Sequence, residues 1–340
     1  MRAMTPIPGQ PDTVVGQPSG AGAVWVYSGM GPQWAGMGRA LMQQDAFVEG
    51  WQQACQALYA HGLDLRDLMQ RDPEQVNMQS NWLAQPANFA LQVALTCLLR
   101  QHGLQAGAIV GHSTGEMAAS WAAGALSLAD AARVVAVLTR LQQTVAGGGM
   151  LALGMSAQAL APWREGIGGV LDIAAYNAAN SITLSGDPDS LAQLEQRLAQ
   201  AKGARRIFAR RLTVEVAYHS AHMDGLQSAL LAELAGLQPQ SPVLPLFSSV
   251  SGSQVSNASH DAQYWWRNAR HPVQFMAAMQ QIHQYGFARY LQIGPHPALS
   301  SAIKANTGET VQRLALIDRK QDALASLSSV LEALQASQDP

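Results

Sequence analysis

With 340 residues the chain is long enough to bury a sizeable core, and it predicts one large domain carrying an insertion, or two domains, rather than a string of small ones. Its formal charge of −2, from 21 Lys+Arg against 23 Asp+Glu, supplies neither a basic face nor an acidic tail, which excludes a nucleic-acid-binding class. Only Cys55 and Cys97 occur, both in apolar helical surroundings, and they predict buried thiols in a reducing compartment rather than a disulfide frame or a metal site.

The first twenty-two residues are rich in Pro, Gly and Ser, with Arg2 as the only charge before Asp12, and predict a flexible N-terminus that is neither signal peptide nor membrane span. No later stretch reaches about eighteen uninterrupted apolar residues, so no contact with a membrane is expected and the predicted setting is soluble and cytoplasmic. Residues 24–27 read as a buried strand running into a glycine-rich turn, 28–34, that opens a helix. A helix is predicted over 87–100, with Pro86 at its start. The apolar run 108–110 is a strand, residues 111–115 a tight turn, and a helix follows from Glu116. Ser127 caps a helix with Asp130 in its first turn; the pattern runs to about Val145, and Gly147, Gly148 and Gly149 end it.

From about 150 to 212 the texture changes to short strand-like runs at 150–153, 170–176, 181–184 and 206–209, with helical patterns at 156–166 and 189–202. This βαββαβ order is that of a ferredoxin-like unit. A helix near 220–234, a strand at 244–250, two more helical stretches, a strand at 289–293 and a closing helix over 321–335 complete the chain. The predicted fold class is α/β: a parallel-sheet, α/β-hydrolase-like large subdomain from 23–147 and 213–340, with 148–212 inserted as the ferredoxin-like small subdomain.

Gly111-His112-Ser113-Thr114-Gly115 is a G-x-S-x-G pentapeptide between a strand and a helix, the pattern of a nucleophile elbow. The glycines remove the Cβ atoms that block a sharp reversal, and the helix N-terminus favours developing negative charge. A serine nucleophile requires a base within hydrogen-bond reach, most often a histidine. Of nine histidines, His219 lies where a strand-like run meets a helix, a position that points a side chain into a cleft. His222, three residues on, shares its helix face, and spacing alone does not separate the two.

Five segments in order resemble the acyltransferase domains of polyketide synthases and animal fatty acid synthases, of the malonyl-CoA:acyl-carrier-protein transacylase type. They are Gly111 to Glu116, the 28–34 loop, His219-Ser-Ala-His-Met223, Tyr264-Trp-Trp-Arg-Asn-Ala-Arg-His-Pro-Val273 and Ile293-Gly-Pro-His-Pro297. The likeness runs from about residue 23 to 335. It implies that Ser113 takes the acyl group from a thioester and that His219 is its base, oriented by a backbone carbonyl expected in 247–250, at Ser249. Asp172, Asp187 and Asp189 are accordingly turn and cap residues. The resemblance further implies an oxyanion hole built from the amides of Met30 and Thr114, a pocket lined by Gln85, and architectural roles for His112 and His296. Met30 departs from the glutamine of the fatty-acid enzymes and agrees with the animal and some polyketide forms.

Malonyl- and methylmalonyl-transferring members hold the substrate carboxylate with an arginine twenty-five residues after the serine, where this chain has Leu138. Val134, Leu141 and Gln142 share its helix face, Arg140 points roughly 200° around, and no neighbour replaces the cation. The expected acyl group therefore lacks a free carboxylate: acetyl, propionyl, a branched or longer chain, or a growing intermediate. Val216-Ala217-Tyr218-His219 matches neither the His-Ala-Phe-His of malonyl enzymes nor the Tyr-Ala-Ser-His of methylmalonyl enzymes; Val216 suggests room and Tyr218 argues against it.

Two fates follow for an acyl-serine: transfer to the phosphopantetheine thiol of an acyl carrier protein, or hydrolysis that clears stalled chains from such proteins. The start at Met1 and the end soon after the last family helix suggest a discrete, trans-acting member. No bound cofactor is expected, since coenzyme A or 4'-phosphopantetheine arrives with the substrate. Arg205, Arg206, Arg210 and Arg211 are candidates for meeting an acidic carrier protein. An α/β-hydrolase esterase would want an acid on His219; an inactive carrier-binding scaffold would form no acyl adduct.

Overall fold

A computed structural model describes residues 18–200 and 207–335 and divides their strands between two sheets. In chain order the elements are β1 (Ala23–Tyr27), α1 (Asp45–Tyr59), α2 (Asn81–Gln101), β2 (Ala106–Gly111), α3 (Gly115–Ala122), α4 (Leu128–Gln143), β3 (Gly149–Leu153), α5 (Ala157–Arg164), β4 (Leu171–Ala178), β5 (Ser181–Gly186), α6 (Pro188–Ala199) and β6 (Ala209–Arg211). There follow α7 (Gln227–Leu234), β7 (Leu246–Ser248), β8 (Ser253–Val255), α8 (Ala262–Arg270), α9 (Phe275–His283), β9 (Arg289–Ile293), α10 (Ser300–Thr307), β10 (Gln312–Ala315) and α11 (Ala323–Gln335).

The large sheet has the order β10-β9-β1-β2-β7-β8, parallel throughout except for β8 at one edge. Every residue of β1 is buried, as a central parallel strand covered on both faces requires. Alternation divides its neighbours cleanly. Trp25, Tyr27, Ile109 and Leu291 join the core under α1, α2 and α4, while Val24, Val26, Ala108 and Val110 pack on the opposite side with Phe275 and Met279 of α9. The small sheet is antiparallel with the order β4-β5-β3-β6, and Leu160, Leu191 and Leu194 of α5 and α6 pack on its Leu151, Leu153 and Leu184. The chain thus has the α/β fold expected, a parallel large subdomain with a ferredoxin-like insertion.

Several local expectations shift. The 28–34 loop opens no α-helix; Gly31, Gly36 and Gly38 hold left-handed backbone (φ 115°, 89° and 80°) and carry the chain to a single 3-10 turn at Arg39–Gln43. Helix α2 starts at Asn81, so Pro86 lies inside it and only deprives the carbonyl of half-exposed Trp82 of a partner. The helix expected at 220–234 splits into a 3-10 turn, Ala221–Leu226, and α7. Strand β7 is shorter than expected because Pro245 precedes it, and β8 and β10 are short strands with no clear sequence signal. Residues 1–17 of the expected flexible N-terminus, and Arg205 and Arg206, lie outside the described residues. Among the described residues one helix, α2, is long and apolar enough to cross a membrane, and 83% of its most apolar window is buried inside the protein.

The join of β2 to α3 leaves no room for side chains. A Cβ on Gly115 would stand 2.7 Å from the carbonyl oxygen of Ser28 and collide with that of Tyr27, both fixed at the end of β1. Gly115→Ala is therefore expected to destabilise by about 2 kcal/mol or more, measurable as a lowered midpoint in denaturant unfolding.

Candidate active site

Ser113 stands between the end of β2 and the start of α3, with backbone φ of 54°. His219 has φ of 59°, and these two are the non-glycine residues with positive φ among the described residues. Such backbone is strained for a side-chain-bearing residue and persists only where neighbours over-determine it. The two strained residues, 106 positions apart in sequence, meet: Ser113 Oγ lies 2.6 Å from His219 Nε2.

His219 is fixed from the end of α8. Its backbone N–H donates to the Ala269 carbonyl at 3.2 Å and its Nδ1–H to the His271 carbonyl at 3.1 Å. A carbonyl only accepts, so Nδ1 carries the proton and Nε2 presents a lone pair to the serine hydroxyl. The orienting carbonyl is not that of Ser249, as expected from the sequence. Ser249 is occupied otherwise: its carbonyl accepts from the Gln274 N–H at 2.6 Å and its own N–H donates to Glu116. The signal that could have found His271 is Pro272, which disfavours helical backbone at the residue before it and leaves His271 extended (φ −91°, ψ 160°) just past α8. His222 is taken up elsewhere, 2.7 Å from Asp187 Oδ1, which separates the two candidate bases. Asp187 also accepts from the Val170 N–H at 2.7 Å and Asp172 from the Ala221 N–H at 2.8 Å, so both tie backbone and neither approaches His219.

Beside the serine, the 28–31 loop packs onto the elbow: a Cβ on Gly29 would lie 2.8 Å from the His112 carbonyl oxygen. Its carbonyl at Ser28 is held by Gln92 Nε2 at 2.8 Å and Asn88 Nδ2 at 3.2 Å. The amides of Met30 and Thr114 have no acceptor among the described residues, and both residues line the cleft at Ser113. His112 donates from Nε2 to Asn177 Oδ1 at 2.8 Å, tying the elbow to β4. His296 pairs with Asp318 at 3.2 Å, away from the cleft.

The cleft has a volume of about 70 Å³ and an apolar wall of Met150, Leu212, Val214, Tyr218 and Val273. Most of these come from the small subdomain or its connections and escaped sequence reading, since only long-range packing brings them to Ser113. Gln85, Leu138 and Val216 do not reach the cleft; all three are buried. Tyr218 does line it. Its hydroxyl donates to Asn81 Oδ1 at 2.7 Å, Asn81 Nδ2 donates to the Thr139 carbonyl at 2.9 Å, and Thr139 Oγ1 donates to Gln85 Oε1 at 3.3 Å. Arg140 turns outward to Glu233. Among the described residues lining the cleft none is Lys or Arg. Burial pushes His219 down to about 4, with His112 nearby adding to the effect, and burial lowers His112 as well, so both rings are neutral at neutral pH.

The acyl transferase domain model matches residues 24–337. The chain belongs to this acyltransferase domain family. It is 37% identical over 324 residues to the pikromycin polyketide synthase component PikAII of Streptomyces venezuelae, covering 94% of this chain and 8% of that protein. It is 35% identical over 285 residues to the erythronolide synthase EryA3 of Saccharopolyspora erythraea, covering 82% of this chain and 9% of that one. The chain thus spans under a tenth of these relatives. A solved loading acyltransferase of the avermectin polyketide synthase superposes with a TM-score of 0.85 at 31% identity, over 92% of this chain and all of that one. The malonyl-CoA:acyl carrier protein transacylase of Xanthomonas oryzae superposes with a TM-score of 0.80 at 26% identity, over 94% and 99%.

The depressed titration of His219 has two measurable consequences for this acyltransferase domain. The acid limb of any reaction that needs its neutral ring is expected near pH 4 rather than near the ordinary 6.5, read from the pH profile of serine labelling. Burial also holds His260 down at about 4, and an unfolded chain takes up both protons first as pH falls. Their contribution to stability is therefore whole above about 6.5 and drains away as pH drops towards 4, which unfolding midpoints across that window would register.

Proposed function

We propose that this domain is a serine acyltransferase of polyketide biosynthesis that moves an acyl group without a free carboxylate between a thioester and an acyl carrier protein. The observation that carries the reading is the cleft at Ser113: an apolar wall, two neutral histidines and, among the described residues lining it, no Lys or Arg. A carboxylate entering such a cleft loses hydration that no cation there offsets, at a cost of several kcal/mol. A neutral acyl chain gains from the same wall.

The Ser113 oxygen attacks the thioester carbonyl carbon as its proton passes to His219 Nε2. The resulting oxyanion meets the Met30 and Thr114 amides, which also gain from the N-terminus of α3. Collapse breaks the C–S bond, the departing sulfur takes the proton from His219, and the acyl group remains on Ser113. A phosphopantetheine thiol then gives its proton to His219, attacks the ester and regenerates the serine. Leu138, buried in the apolar core, offers a substrate carboxylate no charge. The likeness to a loading acyltransferase supports a starter or neutral acyl group. A carrier protein is the proposed partner in a cytoplasmic setting. Arg210 is exposed on β6, whereas Arg211 is engaged with Glu195 at 2.8 Å, which leaves Arg210 the better placed for acidic contacts.

Intact-protein mass spectrometry with acetyl-, propionyl-, longer acyl- and malonyl-thioesters tests this reading. Wild type is expected to gain a neutral acyl adduct that moves to a phosphopantetheinylated carrier, Ser113→Ala to gain none, and malonyl loading to be slower by about 100-fold. Free acid accumulating from a preloaded carrier makes the protein a hydrolase instead; efficient malonyl loading defeats the argument from the uncharged cleft.

A further inference from the structure

We propose that Asn268 is a positioning residue that holds Ser113 in its left-handed conformation and sets it against His219, an inference resting on the serine mechanism above. Asn268 lies in the last turn of α8, 5% exposed. Its Nδ2 donates to the Ser113 carbonyl at 3.3 Å and reaches Glu116 Oε2 at 3.4 Å. An amide nitrogen has two hydrogens, and here each faces an oxygen that accepts. Glu116 is itself held in place: it is buried and accepts from the Ser249 N–H and the Tyr264 hydroxyl, the latter 2.8 Å from Ser248 Oγ.

What gives Asn268 its leverage is the company it keeps along the chain. Ala269 accepts the backbone N–H of His219 and His271 accepts its Nδ1–H. Three residues out of four at one helix end therefore hold the nucleophile by its carbonyl and the base by its backbone and ring. The elbow itself supplies only one other bond to that carbonyl, the Glu116 N–H at 3.0 Å. Removing the Asn268 donor leaves Ser113 freer to relax from φ of 54°, which swings Oγ away from Nε2. An ionised aspartate of the same shape has no hydrogen to give and sets a carboxylate beside Glu116.

The test uses a fluorophosphonate probe, which needs no knowledge of the acyl group. The serine oxygen bonds to phosphorus, fluoride leaves and the proton goes to His219. Asn268→Asp and Asn268→Ala are compared with wild type and Ser113→Ala for labelling rate, melting temperature and, with an accepted thioester, kcat and KM. The inference expects labelling and kcat per folded molecule, read below the melting temperature of each variant, to fall by about 10- to 100-fold with KM little changed. It further expects the deficit of Asn268→Asp to narrow as pH is lowered from 8 towards 5.5, because a protonated aspartate regains a donor; a merely structural role moves neither ratio. Wild-type labelling rates in both variants, or a loss that only tracks the unfolded fraction, overturns the inference and leaves the serine mechanism standing. Absence of Ser113-dependent labelling in wild type overturns both.

Discussion

The structure depends on one contact between two strained residues. Ser113 and His219 each occupy left-handed backbone that only glycine adopts at no cost, and they face each other across 2.6 Å. Neither conformation is stable by itself. The first is imposed by Gly111, whose missing side chain lets α3 fold back on the end of β2, and by Gly115, which lets α3 press against the end of β1; the second is imposed by bonds to the end of α8. A sheet register therefore controls the nucleophile: β1 and β2 pair in parallel with Tyr27 beside Gly111, and the His112 N–H donates to the Tyr27 carbonyl at 2.9 Å. A one-residue slip there would turn the side chains of both strands to the wrong face and carry the elbow with them.

Electrostatics follow from the same burial. Withdrawing His219 from water keeps its ring neutral, and the His271 carbonyl selects the tautomer whose free nitrogen faces the serine. No carboxylate is needed for orientation, and none is present on Nδ1, which argues against an esterase-type triad. The cleft is uncharged for a related reason. Leu138 lies among Leu141, Val134 and the other side chains of a continuous apolar core, and the polar groups nearby, Asn81, Thr139 and Gln85, are spent on one another.

Much of this was legible because local chemistry and global fold agree. The pentapeptide around Ser113, the Ser127 cap that accepts from the Asp130 N–H, and the short apolar runs of β3 and β5 each carry a signal within a few residues. His219 and His222 could not be separated by spacing, since the bond that decides between them comes from Asp187, thirty-five positions away. Ser249 and His271 were confused for a similar cause: both sit at element ends near the elbow, and only tertiary contacts reveal whose carbonyl is free. Asn268 falls inside the Tyr264–Val273 segment, but nothing local in that segment marks its role. An asparagine near a helix end reads as a weak helix former, and its meaning depends on the two acceptors opposite it.

The position of the small subdomain belongs to the same argument. Just past His271 the chain leaves α8 as an extended segment, and Val273 pairs with β4: its N–H donates to the Ala174 carbonyl and its carbonyl accepts the Tyr176 N–H, both at 2.9 Å. Residues 268 to 273 therefore touch Ser113, His219 and the inserted sheet in one unbroken stretch. Asn177, on the same strand as Ala174, reaches back to His112 beside the serine. Asp172 and Asp187 clasp the turn that follows His219. Because β4 is fixed to both sides of the Ser113–His219 pair, the wall of the cleft and the geometry of the dyad are set by one network. The insertion shapes the cleft and braces Ser113 against His219 at the same time.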